Sequence, residues 1–229
     1  MVKLYKKKIN PVFYLKNPRR SLSAKQKKLI EINLKKYLFH RLEKKPKKVF
    51  LEIGSGYGEN LINLAEKNKN SLILGCEVYK PAVAKLIEKI EEKNIKNILI
   101  FIDDIFILFK KIKKNSIEKI FLLFPDPWPK KKHHKRRLVS ESLIKNFEYI
   151  LTPKGQVYLS TDSNEYLKVI FDNFFCNDIF MWVNNKPNEC FIRPKILVRT
   201  KYENKADLNL NKKYFLKFEK KSWTLSSND

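Results

Sequence analysis

The chain has 229 residues, with 49 Lys or Arg against 24 Asp or Glu and a formal net charge of +25, and this length suits one domain with short appendages. No apolar run approaches the ~20 residues that span a membrane, and the N-terminus lacks the apolar segment of a secretory signal, so neither a membrane protein nor a secreted one is expected. Three widely spaced cysteines fit neither a disulfide framework nor a zinc site, which favours a reducing cytoplasm and no bound metal.

Positive charge is concentrated at the N-terminus. Residues 1–48 carry 17 Lys or Arg and 2 acids, a net +15 of the +25. We interpret residues 1–20 as a basic arm, followed by a helix over 24–39 that Ser23 caps, and we place the main domain at 49–229. The clustering favours a polyanionic partner, while a lysine-biased composition and a membrane surface are the alternative explanations.

Short apolar strands alternate with helical segments through most of the remaining chain. Strands are predicted at 49–53, 72–76, 98–102, 117–124 and 156–160, and helices at 59–67, 81–93, 138–151 and 165–175. This alternation predicts an α/β fold with a parallel sheet, helices on both faces and all strand C-termini along one edge. Further strands are expected at 191–198 and 214–218. Acids recur where the first five strands end: Glu52, Glu77, Asp103 with Asp104, Asp126 and Asp162.

A glycine-rich turn follows the first strand. Glu52 precedes Gly54 and Gly56 in the segment EIGSGYG, whose glycine spacing is one residue short of a dinucleotide fingerprint. A carboxylate at Glu52 suits the cationic ammonium and sulfonium groups of S-adenosylmethionine and would repel a pyrophosphate. Glu77 can accept both hydroxyls of a ribose, and Asp104 can accept the amino group of adenine. The alternatives are an incidental glycine turn and an NAD site, for which Glu77 would serve equally.

The fourth strand ends in an acid between two prolines, within FLLFPDPWPKKKHHKRRL at 121–138. Pro125 and Pro127 cannot continue a central strand, so Asp126 and Trp128 are expected at its C-terminal end, where open α/β sheets bind ligands. The basic block at 130–137 then indicates chemistry on a nucleic acid, with a solvated surface run as the alternative. Trp128 either stacks on an extruded base or anchors the loop.

This segment resembles the F-P-D-P-W-x-K-x-R-H-x-K-R-R motif of the bacterial tRNA (guanine-N7)-methyltransferases. LEIGSGYGEN, GCEV, STD at 160–162 and TKYE at 200–203 are similar to that family in the same order, so the resemblance covers roughly residues 49–203. It implies a Rossmann-like class I methyltransferase fold with a mostly parallel seven-stranded sheet. It also implies that S-adenosylmethionine is the cofactor and that N7 of guanine 46, in the variable loop of tRNA, takes the methyl group.

The resemblance further implies a role for each matching residue. This chain departs from the family motif at two positions: Lys132 replaces an arginine, and Tyr202 replaces a phenylalanine. Asp126 is implied as the catalytic acid. The expected cofactor contacts are Glu52, Gly54, Gly56, Glu77, Asp104 and Asp126. The expected substrate contacts are Lys130, Asp162, Thr200, Lys201, Tyr202 and Glu203. The expected RNA contacts are Lys132, His133, His134, Lys135, Arg136 and Arg137.

The chemistry of guanine also bears on these roles. N7 carries a lone pair and no proton, so methyl transfer needs no prior deprotonation by a base. Asp126 would stabilise the positive charge that the ring acquires, and Asp126 or Asp162 would accept hydrogen bonds from guanine N1–H and the amino group. A non-catalytic RNA-binding protein with this fold and a nicotinamide-dependent oxidoreductase are the alternatives. A monomer and a homodimer are both compatible with the sequence.

Overall fold

The structure is a computed structural model that describes residues 22–40, 48–176, 178–184 and 186–222, so the expected arm at 1–20 lies outside the described residues. The helices are α1 (Ala24–Tyr37), α2 (Glu59–Lys67), α3 (Lys80–Glu92), α4 (Ile105–Phe109), α5 (Glu141–Ile150), α6 (Asn164–Phe175) and α7 (Lys201–Leu208). The strands are β1 (Val49–Ile53), β2 (Leu72–Cys76), β3 (Ile98–Phe101), β4 (Ile117–Leu123), β5 (Leu151–Thr161), β6 (Phe180–Trp182) and β7 (Tyr214–Lys220). Two 3-10 helices span Lys131–Arg136 and Pro187–Phe191.

The strands form one seven-stranded sheet in the order β3-β2-β1-β4-β5-β7-β6. Strands β1 to β5 are parallel, whereas β7 runs antiparallel to both β5 and β6. The expected mostly parallel α/β sheet is therefore confirmed. The strand order reverses between β1 and β4, and ligands of such sheets bind in the crevice at the C-terminal ends of the two strands beside that reversal.

Apolar cores lie on both faces of the sheet, because both faces are covered by helices. Neighbouring residues of β1 show this: Phe50 packs into the core beneath α2 and α3, and Leu51 packs into the core beneath α5 and α6. The pattern explains why β1 is buried along its whole length rather than at alternate residues. No helix in the described ranges is both long and apolar enough to cross a membrane.

Helix α1 begins at the expected residue. The Ser23 hydroxyl accepts from the Gln26 amide at 3.2 Å, and the Gln26 side chain accepts from the Ser23 amide at 3.0 Å, which makes a capping box. The helix lies along α3, to which Lys25 and Lys36 form ion pairs. The domain boundary that we expect between residues 48 and 49 remains a prediction. Helix α1 packs against α3 and β3 of the sheet domain.

The prediction of a strand at 191–198 is wrong. A 3-10 helix ends at Phe191, and the chain continues without a strand to Thr200. Pro194 has no amide hydrogen to donate to a sheet, and the Val198 amide donates to the Asn60 side chain at 3.4 Å instead. The edge strand beside β7 is β6. The TKYE segment at 200–203 begins α7, a helix that our sequence analysis does not predict.

Loss of the α1 cap should destabilise the fold measurably. Ser23→Ala removes one acceptor of the capping box, so we expect a loss of ~1 kcal/mol and a melting temperature lower by about 2–4 °C. Differential scanning calorimetry checks the temperature, and hydrogen exchange checks faster exchange in the first turn of α1. Ser142→Ala, within α5, is the matched control and should not lower the melting temperature. Equal melting temperatures for the wild type and Ser23→Ala would contradict the stabilising role of the cap.

Candidate active site

The acids that the sequence places at strand ends lie along the C-terminal edge of the sheet. Glu52 is within β1, Glu77 directly follows β2, Asp104 caps α4 after β3, and Asp126 follows β4. Asp162 follows β5, where it accepts from Asn211 Nδ2 at 3.0 Å. The topology thus aligns the first four acids along this edge, with Glu52 within β1 and Asp126 just after β4, the two strands that border the β1–β4 crevice.

Glu52 is a buried carboxyl group, with a residue exposure of 4%. Loss of solvation raises its pKa to about 8, and the charges of Glu59 and Glu77 act in the same direction. The nearby Asn60 amide opposes this shift, yet neither Asn60 Nδ2 nor Glu52 Oε2 has a hydrogen-bond partner among the described residues. An uncompensated buried carboxyl is costly, so this position is suited to a cationic ligand.

The glycine turn is held against the end of β2 by Glu77. Its carboxylate accepts from the Gly56 amide at 2.7 Å and from the Tyr79 amide at 2.8 Å. Burial raises the pKa of Glu77, and the two backbone amides and the Lys201 ammonium oppose that rise. The turn needs left-handed backbone, with φ +72° at Gly54 and +53° at Gly56. A Cβ at Gly54 would meet no atom within 4 Å, so the backbone there is open to a ligand.

Asp104 is the acid that follows the third strand, β3. One of its oxygens accepts from the Phe106 amide at 2.7 Å and caps α4, so part of its hydrogen-bonding capacity is structural. Burial raises its pKa, and the neighbouring Asp103 carboxylate adds to that rise. Asp104 is half-buried and Asp103 is exposed, and a cofactor contact at Asp104 remains a prediction.

Helix α7 lies over the glycine turn. The Lys201 ammonium is 3.5 Å from the centre of the Tyr57 ring, a cation–π contact, and 5.1 Å from the centre of the Tyr202 ring. Tyr202 Cε2 is 3.6 Å from the position a Cβ on Gly56 would take. Desolvation raises the pKa of Tyr202 to about 12, with further contributions from Glu77 and Asp126. Tyr202 is therefore near both Glu77 and Asp126. Tyr57 is a site residue that the motifs did not single out.

The last residue of the TKYE segment, Glu203, faces inward. It is 5% exposed, and Arg193 Nη1 lies 3.1 Å and 3.0 Å from its two carboxylate oxygens. Thr200 caps the helix by accepting from the Glu203 amide. These contacts anchor α7, whereas Lys201 and Tyr202 remain exposed to a substrate. Arg193 was not found from the sequence because no local pattern pairs it with Glu203.

The loop at 124–128, hereafter the Asp126 loop, has a strained backbone. Phe124 has φ +48° and Trp128 has φ +43°, a region that costs non-glycine residues roughly 1–2 kcal/mol each. Asp126 lies between them with an exposed side chain. The Trp128 ring is covered by the Arg136 guanidinium, 4.9 Å from its centre, and its buried Nε1 has no partner in the described chain. This environment favours the loop-anchor interpretation of Trp128 over base stacking.

The basic block forms a short 3-10 helix, Lys131–Arg136, beside the Asp126 loop. Lys130, Lys131, Lys132 and Lys135 are exposed, as a phosphate-binding surface requires. Desolvation and then the neighbouring cations lower the pKa of His133, so it adds no charge at neutral pH. His134 lies 3.1 Å from a Glu165 oxygen. Arg137 differs from the rest of the block because it is buried, with 8% of the residue exposed.

The residues around the turn fit S-adenosylmethionine. Three buried polar atoms near the end of β1 lack partners among the described residues: Glu52 Oε2, Ser55 Oγ and Asn60 Nδ2. Together they offer a carboxylate, a hydroxyl and an amide donor, which complement the ammonium and carboxylate of an amino-acid moiety. Glu77 remains close to the turn for the ribose. No cluster of three or more metal-binding side chains occurs within the described part of the chain.

Comparison with known sequences assigns the family. A family model described as "Putative methyltransferase" matches residues 46–216. The tRNA (guanine-N(7)-)-methyltransferase of Neorickettsia sennetsu is 32% identical over 167 residues, covering 73% of this chain and 76% of that protein. That of Buchnera aphidicola subsp. Baizongia pistaciae is 37% identical over 173 residues, covering 75% and 71%. The "Bifunctional methyltransferase" of Rickettsia conorii is 36% identical over 199 residues and 84% of this chain, which spans only 37% of its length.

Solved structures share the fold at low sequence identity. An rRNA methylase from Streptococcus thermophilus matches with a TM-score of 0.50 and 12% identity, covering 86% of this chain and 94% of that one. A Streptococcus mutans protein in complex with SAH matches with a TM-score of 0.51 and 15% identity, covering 87% and 99%. These two neighbours support the class I methyltransferase fold. The family model and the two shorter relatives lead to one conclusion: the chain belongs to the tRNA (guanine-N7)-methyltransferase family.

Proposed function

We propose that the protein transfers a methyl group from S-adenosylmethionine to N7 of guanine 46 in the variable loop of tRNA. The observation that carries this proposal is the position of Asp126. Its exposed carboxylate lies between the cofactor acids at the ends of β1 and β2 and the exposed lysines at 130–135. The names of the two shorter relatives support the tRNA substrate.

The chain's contribution to cofactor binding is electrostatic. Glu77 places a carboxylate beneath the glycine turn, and the buried Glu52 can ionise once a cation lies beside it, so this part of a chain whose net charge is +25 is suited to a cationic ligand. When bound, S-adenosylmethionine supplies the methyl group together with the positive charge that the product guanine inherits. Tyr57 and Tyr202 line the same turn, where their rings offer an apolar surface beside the open Gly54 backbone.

Guanine needs positioning rather than a base, because its N7 atom carries no proton. In our proposal the Asp126 carboxylate stabilises the charge that develops on the purine, and Asp162 accepts from the edge that carries N1–H and the amino group. Lys130 and Lys201 contact the phosphates around this nucleotide. Thr200 and Glu203 keep α7 in place, and Tyr202 borders the base.

The proposed location is the cytoplasm, where unmodified tRNA is available. The free thiols of Cys76, Cys176 and Cys190 support a reducing compartment. The exposed lysines of the basic block and the basic N-terminal sequence support binding to the tRNA backbone rather than to individual bases.

The test of the function is transfer of a labelled methyl group to unmodified tRNA, followed by mapping of the modified base. We expect N7-methylguanosine at the variable-loop guanine. Asp126→Ala and Asp126→Asn should both reduce kcat by roughly 100-fold or more, since each removes the charge that stabilises the cationic purine. Asp103→Asn, which changes an exposed acid after β3, is the control and should retain activity.

Label at another base or position would overturn the assignment to guanine 46. A purified, folded Asp126→Ala enzyme that keeps a near-normal rate would remove the proposed role of Asp126. The two variants share the wild-type basic block, so tRNA binding should stay unchanged in both.

The basic block should make tRNA affinity strongly dependent on salt. Each phosphate contact releases counterions, so Lys132→Ala and Lys135→Ala should each lower the slope of log K against log salt by about 1. Fluorescence titrations between 50 and 200 mM salt, roughly the range over which such contacts weaken, provide the measurement. Lys114→Ala is the matched control because Lys114 is exposed just before β4, at the opposite edge of the sheet. Slopes equal to the wild type in the first two variants would contradict the phosphate-binding role.

A further inference from the structure

Arg137 is oriented away from the surface that the rest of its basic block forms. Its side chain is 6% exposed, whereas the four lysines at 130–135 are exposed. Arg137 Nε donates to Pro127 O at 2.8 Å, and Nη2 donates to Glu165 Oε1 at 2.7 Å and to Trp128 O at 3.4 Å. A guanidinium that uses these donors inside the protein is poorly placed to bind a phosphate of tRNA.

The two carbonyls that Arg137 binds belong to the Asp126 loop. Pro127 directly follows Asp126, and Trp128 is one of the two residues of this loop with a left-handed backbone. At the other end of the loop, the Phe124 amide donates to Ser160 O at 2.9 Å, which fixes it to β5. The loop is therefore held by a strand at one end, and at the other end the buried Arg137 guanidinium binds its carbonyls while the Trp128 ring packs against Arg136.

The guanidinium is itself held in place from α6. Glu165 accepts from Nη2, and the Tyr166 ring lies beneath the guanidinium, with its centre 5.6 Å from the carbon. The Tyr166 hydroxyl accepts from the Val139 amide at 3.1 Å, which fixes the chain just after Arg137. These contacts fix the orientation of the planar Arg137 guanidinium. Lysine cannot reproduce it, because a single ammonium lacks the two separated donors.

We propose that Arg137 is a positioning residue for methyl transfer: it holds the strained Asp126 loop so that the carboxylate faces the substrate. This inference rests on the proposed function and deepens it. It also separates Arg137 from the RNA contacts that the sequence motif implied for the whole run 132–137. The exposed members of the run bind tRNA, and its buried last member shapes the site.

Two substitutions distinguish positioning from phosphate binding. Arg137→Lys keeps the charge and loses the fork, so the positioning role predicts a kcat roughly 10- to 100-fold lower with the tRNA KM changed by less than about 2-fold. A phosphate contact predicts a near-normal kcat. Arg137→Met removes the charge, so positioning predicts a wild-type salt slope for tRNA binding, whereas a phosphate contact predicts a slope lower by about 1. Lys135→Ala is the matched control for loss of a phosphate contact.

Hydrogen exchange supplies a readout that does not require activity. In Arg137→Lys the amides of Asp126 and Trp128 should exchange faster than in the wild type, with the amides of β1 unchanged. A near-normal kcat in Arg137→Lys, a reduced salt slope in Arg137→Met, or unchanged exchange in the loop would each overturn the inference. A wild-type chain that methylates no tRNA would instead overturn the proposed function, and the exchange comparison would still decide whether Arg137 holds the loop.

Discussion

A carboxyl group buried at the switch point of the sheet is the constraint on which the site depends. In the β1 register Glu52 lies between Gly75 of β2 and Phe121 of β4, so water cannot solvate it from either side. Gly75 leaves room for Leu61 and Ser55, since a Cβ there would lie 2.9 Å from Leu61 and 3.2 Å from Ser55. With a pKa near 8 rather than the ordinary 4.5, the folded protein holds a proton on Glu52 that the unfolded chain releases. The contribution of that proton to stability is complete below about pH 4.5 and is lost as pH rises through about 8.

The rest of the site is arranged around that buried acid. Glu77 ties the glycine turn to β2, and α7 closes over the turn through Lys201 and Tyr202. Asp126 lies across the crevice on a strained loop, beyond which the cationic surface begins. The proposed function has a cationic cofactor and a polyanionic substrate meet at this boundary between acidic and basic side chains. In the proposed function, the net charge of +25 attracts tRNA, and Glu52, Glu77 and Asp104 bind the cofactor.

Much of this arrangement follows from local sequence, and the rest depends on contacts between distant segments. Period and composition predict β1 to β5 and place the acids at their ends, because a buried parallel strand is a short apolar run. Helix α7 was missed, although Thr200 followed three residues later by Glu203 is the pattern of a capping box. The burial of Arg137 had no local signal, since its neighbours are also cations. It depends on Glu165 and Tyr166, which approach only when α6 packs beside the loop.

The central claim is that Glu52 is an acid that keeps its proton until a cation arrives. Calorimetry of S-adenosylmethionine binding at pH 7, in buffers of different ionisation enthalpy, tests this most directly. We predict release of nearly one proton per cofactor bound by the wild type, because a carboxyl with a pKa near 8 is mostly protonated at pH 7 and loses its proton to the bound cation. Glu52→Gln should release much less. A binding enthalpy independent of the buffer in the wild type would contradict the account.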